Sequence, residues 1–71
     1  MKAKRLLAVL ERKPLGYRVV RQTGSHRRLR SARYPPLTIA FHDRATISGD
    51  HVRKILIKQV GLAEGAARKL L

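Results

Sequence analysis

The sequence predicts an α+β domain of two layers: a three-stranded antiparallel sheet with helices packed on one face. Three observations carry that reading. Two segments, one towards each end of the chain, repeat their apolar residues at helical spacing. The stretch between them alternates apolar and polar residues and is punctuated by Gly24-Ser25 and Pro35-Pro36. The chain has 71 residues, which suffices for one core, because a domain this small buries only about 60% of the surface its unfolded chain exposes.

In residues 2–13, Ala3, Leu6, Leu7, Val9 and Leu10 fall on one side of a helical wheel, and Lys4, Arg5, Glu11 and Arg12 on the other. Pro14 disfavours helical geometry at the residue before it, and Gly16 suits a left-handed turn, so this helix ends near Lys13. Residues 17–22 are rich in β-branched and aromatic types, and Thr23-Gly24-Ser25 reads as a three-residue hairpin loop with Gly24 at positive φ. Residues 26–31 return as the second strand, with His26, Arg28 and Arg30 on one face and Leu29 on the other. After Pro35 and Pro36, Leu37, Ile39 and Phe41 alternate with Thr38, Ala40 and His42 as a third strand. The same parity puts His42 on the outer face or just beyond its edge. Ser48 is a candidate N-cap with Asp50 in the first turn, and Val52, Ile55, Leu56 and Val60 form a stripe that closes at Gly61. Ile57 lies off that stripe. Residues 62–71 allow one or two more helical turns, weakened by Gly65. The order is helix, three strands, helix, in a single domain over residues 1–71, and the uncovered sheet face carries His26, Arg28 and Arg30.

Charge narrows the choice of partner. Lys and Arg number 17 against 4 Asp and Glu, a net charge of +13, and no acid occurs from Arg12 to Phe41. Solubility of a small domain asks for only about 2–8 charges, so the excess points to a polyanion: nucleic acid first, then an anionic membrane, then an acidic protein. There are no cysteines, which excludes disulfides, thiolate metal sites and a cysteine nucleophile, and fits a reducing cytosol. The apolar run from Leu6 to Leu10 ends at Glu11. That is shorter than the ~7–15 residues of a secretory signal or the ~18 of a spanning helix, so a soluble cytoplasmic protein with no membrane partner is expected.

RNA brings its own nucleophile, the 2′-hydroxyl. Cleavage then needs a group to take that proton, a group to protonate the leaving oxygen, and positive charge around the phosphorane. Histidine suits the first two roles because it exchanges protons near neutrality. Arginine suits the third through forked hydrogen bonds to phosphate. On composition alone, His26 reads more readily as an exposed hairpin residue or a phosphate contact than as a catalyst. Arg18, Arg21, Arg27, Arg28, Arg30 and Arg33, with Ser25, crowd the hairpin and are read as RNA-binding, with Gly24 positioning the turn. His42 either fixes the loop after its strand or serves as an auxiliary acid–base group, and His51 is read as exposed. Tyr17 and Tyr34 can stack a base, although Tyr17 at a strand start fits the core equally. His42, Asp43, Asp50 and His51 lack zinc-ligand spacing, so neither a metal nor another cofactor is predicted. A non-catalytic RNA-binding module, such as a small ribosomal protein, accounts equally for size and charge.

Gly16-Tyr17, the hairpin Arg21-Gln22-Thr23-Gly24-Ser25-His26, the strand from Leu37 to His42 and the helical segment from Val52 to Leu62 recur together in one family. In that order and spacing they resemble the HicA family of mRNA interferase toxins over nearly the whole chain. The resemblance implies a double-stranded-RNA-binding-domain-like fold, ribonuclease activity on mRNA that blocks translation, and neutralisation by a HicB-type antitoxin. It also implies that the family's catalytic histidine corresponds to His26. The sequence departs from the family pattern at Ala40, where proline is common, and at Asp50-His51, where less polar residues are usual before the helix.

Overall fold

A computed structural model describes residues 1–42 and 44–71. Helix α1 (Ala3–Glu11) is followed by strands β1 (Arg18–Thr23), β2 (His26–Arg30) and β3 (Leu37–Ala40), then by α2 (Gly49–Lys54), a π-helical turn (Ile55–Gln59) and α3 (Glu64–Leu70). The α+β class and the α-β-β-β-α layout of the double-stranded-RNA-binding-domain-like fold are as read from the sequence. The third helix extends that layout. No helix among the described residues is long and apolar enough to cross a membrane.

Helical spacing decides what α1 buries: Ala3, Leu6, Val9 and Leu10 are buried, while Lys4, Arg5, Glu11 and Arg12 are exposed. The helix stops two residues before Lys13. There the chain folds back, and the Tyr17 amide donates to the Leu10 carbonyl at 2.9 Å. Tyr17 is buried at 2% exposure, and its hydroxyl donates to the Pro35 carbonyl at 2.7 Å. Of its two expected roles, Tyr17 therefore fills the one in the core. Ser31 ties the same corner by donating its hydroxyl to the Leu15 carbonyl at 2.6 Å.

The strands form one antiparallel sheet in the order β1-β2-β3. Leu29 of β2 faces Val19 on one side and Leu37 on the other. These residues and Ile39 pack with Leu6, Leu10, Val52 and Leu56 in one core. Burying a side chain such as Leu29 contributes about 1.5–3 kcal/mol.

Two local expectations about the sheet are corrected. The hairpin loop has two residues, not three, since Thr23 pairs with His26 and only Gly24 and Ser25 lie between. Gly24 has φ of 59° and Ser25 is not at positive φ, the sign pattern of a type II′ turn, whose twist matches that of the flanking strands. The third strand ends at Ala40 rather than His42. Arg27 Nη1 donates to the Phe41 carbonyl at 3.4 Å, and residues 45–47 cross to α1, where the Ala3 amide donates to Ala45 at 2.9 Å and the Ile47 amide to Met1 at 2.7 Å. That crossing removes the chain from the sheet.

The last helix also differs from a simple α-helix. Ser48 caps it as expected, accepting from the His51 amide at 3.2 Å, so Asp50 and His51 belong to its first turn. After Lys54 the turn widens, and the Val60 amide reaches the Ile55 carbonyl five residues back at 3.0 Å. With that extra residue in the turn, Ile57 is half-buried against the core rather than off the stripe. Gly61, at φ of 90°, ends the segment in a conformation that L side chains rarely adopt. α3 then buries Ala67 and is held by Arg53–Glu64 at 2.7 Å and by Arg12 donating to the Leu70 carbonyl at 3.1 Å.

Candidate functional site

Cross-strand partners in an antiparallel pair project from the same side of the sheet. His26 is flanked by Thr23 and Ala40, Arg28 by Arg21 and Thr38, and Arg30 by Arg18. All eight are exposed, whereas the alternate residues Leu29, Leu37 and Ile39 are buried. The open face therefore carries His26 at one end and two arginine pairs behind it.

A bulge makes this grouping. Between Val19 and Arg21 the register shifts and Val20 has no partner of its own in β2. In a regular strand, Val19 and Arg21 share a face. With the extra residue, Val19 faces the core beside Leu29 while Arg21 joins Arg28 on the open face. Simple alternation along the sequence gives no sign of this, although Val19-Val20 between two arginines marks where such a shift is needed.

Setting Arg18 against Arg30 and Arg21 against Arg28 puts like charges directly opposite one another, which destabilises a sheet. The described acids Glu11, Asp50 and Glu64 belong to helices, so the repulsion is not relieved by carboxylates on the sheet. A bound polyanion relieves it.

The other predicted site residues are placed differently. Arg27 pairs with Gln22 and Ile39 on the covered side, is half-buried, and holds the Phe41 carbonyl. Arg33 is exposed in the connection after β2, with its amide donating to the Ser31 hydroxyl at 3.3 Å. Ser25 is half-buried in the turn beside His26. A Cβ on Gly24 would meet nothing within 4 Å, so that position needs glycine for its φ alone. His42 is exposed beyond the end of β3, and its carbonyl accepts from the Ala45 amide at 2.9 Å; the backbone of this residue closes the loop. His51 is exposed and meets Phe41 edge-on, with centroids 5.2 Å apart. Tyr34 is half-buried, 6.4 Å from the Tyr17 ring. Asp43 lies outside the described residues, and among those described no group of three or more His, Cys, Asp or Glu side chains is arranged to hold a metal ion.

Fold and site together define a small basic α+β protein whose open sheet face sets one histidine beside paired arginines. The sequence model of the family described as HicA toxin of bacterial toxin-antitoxin matches residues 3–62, and the chain belongs to that family. The match leaves α3 outside its bounds. Comparison with curated proteins and with solved structures returned no match. Membership makes the chain a toxin-family protein of a toxin–antitoxin system.

Proposed function

We propose that the chain is a metal-independent endoribonuclease that cleaves mRNA and so inhibits translation, with His26 as its acid–base catalyst and a HicB-type antitoxin as its neutralising partner. One observation carries the chemistry: the exposed imidazole of His26 shares its face with two cross-strand arginine pairs. Family membership supports the antitoxin and the RNA substrate.

In this reading His26 accepts the 2′-hydroxyl proton as the 2′-oxygen attacks the adjacent phosphorus. The imidazolium so formed returns a proton to the departing 5′-oxygen, leaving a 2′,3′-cyclic phosphate and a 5′-hydroxyl. Arg21 and Arg28, with Arg18 and Arg30 behind them, hold the backbone next to the reacting phosphate, and their positive field offsets the charge that grows on the phosphorane. Ser25 and Gly24 fix the turn that presents His26. Arg27 lies on the covered side, and Arg33, exposed in the connection after β2, and His42, beyond β3, act on the margin of this face.

The test is cleavage of RNA by the purified protein with and without EDTA, beside His26→Ala. Cleavage indifferent to EDTA and reduced about 10²–10⁴-fold in the variant is expected, with binding retained. RNA left intact by the unsubstituted protein under both conditions would replace this reading with a non-catalytic RNA-binding module. Full activity in the variant would remove His26 from the mechanism.

A further inference from the structure

The open face is a ladder with a direction. Its first row is Thr23, His26 and Ala40, its second Arg21, Arg28 and Thr38, and its third Arg18 and Arg30. Successive rows are two residues apart along β2, about 6.8 Å at the usual antiparallel rise of about 3.4 Å, on the order of one sugar–phosphate repeat. The cations lie on one side of His26 only. On its other side the strand ends at Gly24 and Ser25, which carry no charge. Past Ala40, Arg27 reaches the Phe41 carbonyl from the covered side, and the next basic residues, His42 and Arg44, belong to the segment that crosses to the helices, where Lys2 Nζ donates to the Arg44 carbonyl at 3.5 Å and Lys2 bridges Thr46.

We propose that a single RNA strand lies lengthwise along β2, with the scissile phosphate in the His26 row. The next two phosphates, on one side of the cleaved bond, are held by the Arg21–Arg28 and Arg18–Arg30 pairs in turn. This rests on the ribonuclease reading above and names its substrate as a short unpaired stretch with a one-sided footprint. An unpaired strand is required because the 2′-oxygen must swing into line with the departing 5′-oxygen, a motion that base pairing in a helix opposes. Thr23 and Ala40, flanking His26, are short and uncharged and leave room for the splayed nucleotide. Each arginine pair brackets one phosphate from two strands, which accounts for a register that sets cations opposite one another at a cost in stability.

The experiment uses short unpaired oligoribonucleotides with one mapped cleavage site and a single neutral methylphosphonate linkage moved stepwise past it. Neutralising either of the two linkages on one side should slow cleavage roughly tenfold, the scale of one lost charge-assisted hydrogen bond. The corresponding linkages on the other side should change the rate less than about twofold. The double variant Arg18→Gln, Arg30→Gln should be slower on the natural strand yet indifferent to a neutral second linkage, while still sensing the first. Equal sensitivity on both sides, or the same response of the double variant at every position, overturns the proposal. If no RNA is cleaved, the ribonuclease reading falls and the track is judged by binding alone. The double variant should then ignore a neutral linkage at one end of a four-nucleotide strand, and equal losses at both ends overturn it.

Discussion

Strand β2 has two faces that both carry arginine and meet opposite fates. On one, His26, Arg28 and Arg30 stand in solvent; on the other, Leu29 is fully buried and Arg27 half-buried. An arginine next in sequence to another can thus serve the opposite layer. Arg27 spends its guanidinium on the Phe41 carbonyl, which helps to turn the chain out of the sheet. Arg28 instead faces Arg21, a placement with no benefit to folding. The difference shows that charge on this strand divides by parity into a part that helps build the fold and a part set against like charge at a cost in stability.

The comparison breaks most severely at Leu29. Leu29→Ala leaves a cavity between Val19, Leu37 and the helices, and should cost about 2–5 kcal/mol in urea unfolding. His26→Ala on the opposite face should leave the unfolding midpoint nearly unchanged. The two arginines sharpen the contrast next. Arg28→Gln should weaken RNA binding and lower the slope of log K against log salt by about 0.7, the contribution of one phosphate on a single strand. Arg27→Gln should leave that slope in place and reduce stability instead, read by thermal unfolding.

A smaller effect is expected at Tyr17, whose hydroxyl is held above the ordinary value of 10.0 by burial and, secondarily, by the neighbouring Tyr34 phenol. A raised native value means that the unfolded chain releases this proton first as pH climbs. Stability is therefore intact below about pH 10 and falls above it, through the native value. Tyr17→Phe should lose about 1 kcal/mol with the Pro35 hydrogen bond and, in pH-dependent unfolding, show a shallower alkaline decline. The mildest change is deletion of Val20. It removes the bulge and leaves Arg18, Arg21 and Thr23 in simple alternation with Val19 and Gln22, so the faces stay as they are. RNA binding should shift by less than about tenfold, and a larger loss would show that the bulge supplies twist as well as parity.

Much of this architecture is legible in one dimension. The stripes Leu6-Leu10 and Val52-Leu56 and the alternation around Leu29 and Ile39 name the core, because burial recurs with the period of each backbone geometry. Ser48 announces its helix by the cap it supplies. His26 was also legible as a residue of the outer face, since one buried neighbour, Leu29, sets the parity of its strand. The catalytic role proposed for it rests on the likeness to a family, because an exposed histidine in an arginine-rich hairpin has no chemical mark of its own.

What the sequence determined by itself is local in origin: the helices, the hairpin turn at Gly24, the parity of β2 and the excess of positive charge. The tertiary structure alone decided which arginines stand together. Arg18 and Arg21 share a face only because Val20 takes no partner, and a bulge is a property of two strands in register rather than of either strand. It likewise decided that Arg27, which parity already sets on the Leu29 side, reaches the Phe41 carbonyl, and that β3 stops at Ala40 while residues 45–47 pair with the start of α1. The paired cations were thus encoded as spacing, and became a cluster only when pairing between strands set them opposite one another.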